Sequence, residues 1–282
     1  MASRLTYGRF VFECVINISE GRDHAVLQRL SGSAGDSLRD HHSDTFHNRS
    51  VFTLINTTNE LMGDVKRLID SAFDLLDLEK HEGVHPRLGV VDVVPFVPLA
   101  PDRLDAAARL RDECAQWIAA SHDVPVFLYG PLASLERTLP YVRAHAFGDL
   151  APDFGPSEAN AHQGAVAAGA RDILVAWNIW LRGVSLAQAA SLAKMVRGPG
   201  VRALGLQVGE LVQVSCNLVD VALATPSMVF DLVAGHLEHG VIERVELVGL
   251  IPRSLLRAED PTRWGELGLR EDATIESRTP GL

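Results

Sequence analysis

His81-Glu82-Gly83-Val84-His85-Pro86-Arg87-Leu88-Gly89-Val90-Val91-Asp92-Val93-Val94-Pro95 is the stretch around which the rest of the chain sorts itself. Its first seven residues bring two imidazoles, a carboxylate and a guanidinium into one turn, and the β-branched run behind them reads as a strand. Chemical groups are thereby hung on the lip of a sheet. Proline pushes the residue before it out of the helical region, so Pro86 holds His85 extended and presented, while Gly83 and Gly89 remove side chains that would keep a ligand away. A surface-turn histidine has the same local sequence, so these residues alone leave the role of His85 open. Asp92 interrupts the valine run, and a carboxylate there is costly to bury unless an Arg or His answers it.

Upstream, Leu61, Val65, Leu68, Ile69, Ala72, Phe73 and Leu76 fall on one stripe and predict a helix over 60–77, with Asn59 as its N-cap. Before it come a strand over 10–17, a turn over 19–23, a helix to residue 33 with Val26, Leu27 and Leu30 on one face, and a short strand over 37–41. A polar loop over 42–49 and a strand over 50–56 complete the approach. With the strand over 88–97 the order is β-α-β-β-α-β, that of a ferredoxin-like unit.

Downstream, Asp102 caps a helix to residue 121, a strand follows over 124–129, and 132–171 reads as irregular, with Pro140, Pro152 and Pro156. A loop that long in a compact chain is usually functional. The pattern then restarts: strand 173–181, helix 186–196, strands 203–208 and 211–218, helix 228–238, strand 241–250. The reading is α+β, with two ferredoxin-like subdomains over 1–171 and 172–282 and a ligand crevice between them. The charged tail from Arg257, with Pro261 and Pro280, wraps or frays.

The chain has 282 residues, 47% hydrophobic and 22% charged, which is a globular composition and excludes a disordered one. A net charge of −10 without any Lys/Arg run argues against a nucleic-acid surface. Cys14, Cys114 and Cys216 are far apart and form neither a disulfide framework nor a CxxC site. With no signal-peptide core and no apolar run of membrane-spanning length, the expectation is a soluble cytoplasmic protein that contacts no membrane.

The loop His42, Asp44, His47, Asn48, Arg49 and the His81 turn both precede strands of one sheet and can line one crevice. A His general base with a carboxylate partner and cationic anchors suits acyl or imidoyl transfer, in which one proton leaves the attacking amine and another reaches the departing one. Metal ligation by His42, Asp44, His47, His81 and His85 is the alternative, weakened by the lack of HExxH-like spacing. Asn48-Arg49 reads as an anion clamp or a surface charge, and 164–171 as backbone open to a ligand or as a tightly packed helix start. No GxGxxG, P-loop or Gly-x-Ser-x-Gly pattern occurs in context, so no nucleotide cofactor or serine nucleophile is indicated.

Several short motifs, in order, resemble the glutamate formimidoyltransferase family. They are Glu13-Cys14-Val15-Ile16-Asn17-Ile18-Ser19-Glu20-Gly21-Arg22, Asn48-Arg49-Ser50-Val51, the His81 to Asp92 turn, 124–130, Arg137-Thr138-Leu139-Pro140, 151–156, Gln213-Val214-Ser215-Cys216-Asn217-Leu218 and 248–252. The resemblance implies a homodimer of paired ferredoxin-like subdomains, tetrahydrofolate as co-substrate in the groove, and formimidoyl transfer to its N5 in histidine degradation. It implies His85 as catalytic histidine, with the family's active-site aspartate falling on His42 between Asp40 and Asp44. Arg49, Arg87, Asn48, His81 and Asn17 become substrate-binding candidates, and His162, Gln163, Gly164, Ala165, Val166 and Gly169 folate-contacting ones. No resident metal is implied. Three features depart from the family: His42 falls where it has its active-site aspartate, Ala161-His162-Gln163 replaces its usual proline, small residue and tryptophan, and the turn around Gly198 is shorter. A different amidine donor, or a metal-dependent amide or amidine hydrolase, is the alternative reading.

Overall fold

Alternation along β1 (Val11–Ile18) sends Phe12, Cys14, Ile16 and Ile18 to one side of a sheet and Glu13, Val15 and Asn17 to the other. The computed structural model describes residues 10–83, 86–132, 136–238 and 241–281. It divides into two units, the first ending at Arg171 and the second beginning at Asp172, each with its own sheet and helices. The α+β class read from the sequence is the class observed.

In the first unit β1 is followed by α1 (His24–Ser33), whose N-cap Asp23 accepts the Ala25 and Val26 N–H groups. Then come β2 (Leu38–Asp44), β3 (Arg49–Thr57), α2 (Thr58–Leu75), β4 (Val91–Pro98), α3 (Leu104–His122), β5 (Val126–Pro131), β6 (Glu136–Arg137), α4 (Leu139–His145) and β7 (Val166–Ala170). The sheet order is β2-β3-β1-β4-β7-β5-β6. Along β2, β3, β1 and β4 each strand is antiparallel to its neighbour, whereas β7 lies parallel between β4 and β5.

Helices α1, α2 and α3 cover one face, packing Leu30, Leu61, Leu68, Ile69 and Ile118 against Cys14, Ile16, Phe52, Leu54 and Phe96. On the opposite face α4 covers only the β4-β7-β5 side, where Val142 meets Val93, Phe127, Tyr129 and Ala167. The remainder of that face carries Glu13, Asn17, Arg49 and Thr53 from β1 and β3, a polar strip on an otherwise apolar framework.

Two sequence readings change here. Half of the run 42–49 is strand: β2 extends to Asp44 and β3 begins at Arg49, leaving a four-residue turn. Its polar residues fit because β2 is the sheet edge and is only partly buried along its length. The segment 132–171 is not irregular throughout. It contains β6, α4 and the wholly buried β7, whose Ala and Gly residues lack strand propensity but are fixed by parallel partners on both sides.

The second unit runs β8 (Val175–Leu181), α5 (Leu186–Val196), β9 (Val201–Val208), β10 (Leu211–Leu218), α6 (Pro226–Ala234) and β11 (Ile242–Val248). Its antiparallel sheet has the order β11-β8-β10-β9. Ser185 and Gln188 form a capping box at the start of α5. The tail packs rather than frays: Leu267 and Leu269 are buried in the second core, and the Trp177 indole donates to the Leu267 carbonyl at 2.9 Å. All three cysteines are buried thiols, and burial pushes Cys114 up to about 12. Among the described residues no helix is long and apolar enough to cross a membrane.

Candidate functional site

A β-bulge makes the site. Ile18 pairs with Val91 and Asn17 with Val93, so Asp92 is an extra residue on β4. Beyond it the alternation shifts: Val91 and Val94 both enter the helix-covered core, and Val93 turns to the other face. A bulge of this kind re-aims a side chain. The Asp92 carboxylate is thereby delivered to Arg49, which ion-pairs with it through Nη1, and to Arg143 of α4, whose Nη2 lies 2.6 Å away. The Leu88 N–H donates to its second oxygen at 2.8 Å.

The Asp92 side chain is 0% exposed. Burial by itself raises a carboxyl pKa, but the charges of Arg49 and Arg143 outweigh it and hold Asp92 at about 2. Asn17 Oδ1 accepts from Arg49 Nη2 at 2.8 Å and Nε at 3.2 Å, fixing the plane of that guanidinium. Two cations facing one carboxylate leave the cluster with an excess positive charge.

The same cluster pins the stretch with which the sequence reading began. Arg143 Nη1 donates to the Pro86 carbonyl at 3.1 Å, and Ser19 Oγ to the Gly89 carbonyl at 2.8 Å. On the other flank Asn48 Nδ2 donates to the Glu82 carbonyl at 2.8 Å and lies 3.4 Å from His81 Nδ1. Asn48 Oδ1 accepts the Gly21 N–H at 2.9 Å, and the residue sits at φ 48°, a conformation Asn tolerates better than most. Gly83 is needed for close approach, since a Cβ there would strike the His47 carbonyl and the Asn48 side chain. Arg87 Nη2 reaches the His47 carbonyl at 3.5 Å. His85 lies outside the described residues.

The other candidates divide between this cluster and its surroundings. His41 stacks on Phe52 and touches Ser31 on the helix side, so alternation puts Asp40, His42 and Asp44 on the face that carries Arg49. Asp40 lies opposite Thr53, His42 opposite Val51, and Asp44 opposite Arg49. Asp44 is a turn-former: it accepts the Phe46 and His47 N–H groups at 2.8 Å each and pairs with His47 Nδ1 at 3.1 Å. Although burial raises its pKa, those bonds bring it below the usual carboxylate range.

Of the small-residue run, Gln163 and Ala165 bracket the His-turn strand: Val90 N–H donates to the Gln163 carbonyl at 2.9 Å and Ala165 N–H to the Leu88 carbonyl at 3.0 Å. Gly164 bridges to Gly89, and Val166 opens β7 with its side chain in the helix-covered core. Gly169 lies under the Tyr129 ring, where any Cβ would collide. His162 points elsewhere, exposed, with Nδ1 3.1 Å from Asp77.

Among the described residues, the His/Cys/Asp/Glu groups close enough to share an ion reduce to Asp77, Glu79 and His162. Lys80 Nζ already lies 3.0 Å from Asp77 there. Arg143 is the residue of this cluster that sequence reasoning missed. It sits in a seven-residue helix inside the stretch taken as irregular, and nothing local ties it to Asp92.

Residues 11–171 match the family model described as Formiminotransferase domain, N-terminal subdomain. Over 270 residues the chain is 31% identical to the Glutamate formimidoyltransferase of Streptococcus pyogenes serotype M1, covering 87% of this chain and 90% of that one. It is 30% identical over 272 residues to the Glutamate formimidoyltransferase of Thermoplasma acidophilum, covering 86% and 89%. Against the Formimidoyltransferase-cyclodeaminase of Sus scrofa it is 33% identical over 273 residues, covering 86% of this chain but 50% of the relative, about half its length. The chain belongs to the formiminotransferase family, and it is an enzyme of the transferase class.

Proposed function

We propose that the protein moves a formimidoyl group from N-formimidoyl-glutamate to N5 of tetrahydrofolate. The observation that carries this reading is the His-Pro-Arg motif, with the described residues on either side of His85 held by Asn48, Ser19, Asp92 and Arg143, in a chain whose relatives are named for that transfer. In the reaction N5 attacks the amidine carbon, a C–N bond forms to N5, and the bond from that carbon to the glutamate nitrogen breaks. His85 takes the proton from N5 and returns it to the departing amine. Rigid flanks matter because proton transfer tolerates little misplacement.

The donor carries carboxylates, and the excess positive charge around Asp92 suits them. Arg49 already spans Asp92 and Asn17, so Arg87 is the residue proposed to meet a substrate carboxylate. Burial, and then the charge of Arg49, push Arg87 below its ordinary pKa, with Arg22 and Arg143 acting in the same direction and Asp92 against them. An anion bound there would offset that crowding of cations. On the opposite strand His42 stands where the family has its aspartate, with Asp40 and Asp44 on the same face to supply a carboxylate for the amidinium form.

The test is incubation with formimidoyl-glutamate and tetrahydrofolate, with the N5 adduct followed by absorbance and mass. 5-Formyl-tetrahydrofolate raises the melting temperature of wild type, and His85→Ala keeps that rise while losing turnover. No adduct, and no folate-dependent rise at millimolar ligand, overturns the reading.

A further inference from the structure

The loop that joins β1 to α1 is clasped to the turn between β2 and β3. Glu20 Oε1 accepts the Arg22 N–H at 2.6 Å and the Asp23 N–H at 2.9 Å, and the Gly21 N–H goes to Asn48 Oδ1. Gly21 packs so closely that a Cβ there would strike the Asp44 carbonyl and the backbone nitrogen of Arg49. The position of Arg22 relative to residues 44–49 is therefore fixed at the backbone.

Its side chain is fixed as well, but only along one edge. Arg22 Nε donates to the Thr45 carbonyl at 2.8 Å, while Nη1 and Nη2 meet no acceptor among the described residues. The carboxylates nearest in sequence are already engaged: Glu20 holds the two N–H groups of its own loop, and Asp44 holds those of Phe46 and His47 and pairs with the His47 ring. The open fork of Arg22 thus keeps an uncompensated charge at the rim of the site.

Arg87 stands at the other end of the same turn. Its Nη2 reaches the His47 carbonyl, two residues on from Thr45, so the two anchor points are at most about 7 Å apart along the backbone. The positive charge of Arg22 is felt there, since it acts with burial and Arg49 to push Arg87 below its ordinary pKa. Like charges on so short a turn repel, and anions bound to them reverse the sign. A guanidinium fork takes both oxygens of one carboxylate, so two forks in this arrangement suit a molecule that carries two carboxylates.

We propose that Arg22 and Arg87 clamp the two carboxylates of a dicarboxylate donor, Arg22 taking the one that Arg87 does not, and that Arg22 thereby restricts the donor to N-formimidoyl derivatives of acidic amino acids. The donor's identity rests on the transfer reading; the clamp rests on Arg22 and the turn. Neither carboxylate takes part in the bond changes, so the clamp acts through binding. It sets the KM of the donor and leaves the chemical step to the His-Pro-Arg motif.

The experiment compares wild type, Arg22→Gln and Arg22→Lys with two donors, N-formimidoyl-glutamate and N-formimidoyl-glycine, and uses glutarate and butyrate as unreactive probes in thermal melting. Wild type prefers the dicarboxylate donor. Arg22→Gln raises its KM about 10- to 100-fold with kcat little changed, and treats the two donors nearly alike. Arg22→Lys keeps the charge without the fork and falls between. Glutarate raises the melting temperature of wild type more than butyrate does, and the difference disappears in Arg22→Gln. The Arg22 side chain is exposed, so both variants melt close to wild type without ligand, which separates a lost clamp from a lost fold. If Arg22→Gln keeps the wild-type KM for the dicarboxylate donor, or loses equally on both donors, the clamp is overturned and the transfer reading stands. If glutarate distinguishes wild type from Arg22→Gln while no formimidoyl group is transferred, the clamp stands and the transfer reading falls.

Discussion

Arg143 reaches back across 51 residues to put its Nη2 2.6 Å from the carboxylate of Asp92. The same guanidinium holds the Pro86 carbonyl through Nη1, so one side chain both neutralises the buried charge and fixes the backbone next to the proposed catalytic histidine.

Arg143→Lys keeps the charge but not the fork. A lysine ammonium cannot hold the Asp92 oxygen and the Pro86 carbonyl in the same planar geometry. The expected outcome is a turnover loss of about 10²-fold with the fold retained, read by steady-state kinetics beside thermal melting. Undiminished turnover would show that the Pro86 contact has no catalytic consequence.

Asp92→Asn leaves Arg49 and Arg143 facing each other without a counter-charge. Breaking a buried ion pair in this way costs about 3–5 kcal/mol, to be measured by urea unfolding at pH 7. In wild type Asp92 is held at about 2 against an ordinary value of 3.8. Its contribution is therefore complete above the ordinary value and is lost as pH falls through about 2. The stability gap between wild type and Asp92→Asn is flat above pH 5 and shrinks between pH 4 and pH 2. A gap of constant size across that range would mean that Asp92 is not held ionised by its two partners.

Asn48→Asp retains the acceptor for the Gly21 N–H and removes the donor to the Glu82 carbonyl. A carboxylate then faces a carbonyl oxygen. The expected loss is about 1–3 kcal/mol, concentrated in faster amide hydrogen exchange over 81–83. Uniform protection across wild type and variant would contradict the pinning role.

Gly169→Ala puts a methyl group into the ring of Tyr129 across the β5/β7 ladder. Overpacking at such a place costs about 1–3 kcal/mol. Adding Tyr129→Leu removes the clash, so the double variant loses less than the sum of the single ones, a coupling that a double-mutant cycle reads directly. Additive losses would mean that ring and backbone are not in contact.

What was legible in the sequence follows from how locally each feature is determined. Helix α2 carries its stripe at 61, 65, 68, 69, 72 and 73 within one window, and β9 and β10 are short runs rich in apolar and β-branched residues, so their elements can be read from neighbours alone. The strand β7 cannot: Val-Ala-Ala-Gly-Ala has the composition of a helix start or a loop, and only β4 and β5 on either side make it a strand. Among the site residues, Asp92 announced itself as a carboxylate among valines, and Asn48-Arg49 as a polar pair entering a strand. Arg143 gave no such sign, because its meaning comes from a partner 51 residues away. The placement of Arg22 was likewise hidden, since it comes from the Thr45 carbonyl 23 residues on.

The extra residue at Asp92 sets a counting rule for the whole rim. Strand neighbours normally keep odd and even positions on opposite sides, and one insertion swaps the two for everything beyond it. A sibling chain that spelled the same letters here but ran its ladder without the hiccup would face its carboxylate into the greasy interior. Spelling and phase are thus inherited together, and a one-residue deletion before Asp92 does more harm than most substitutions at it.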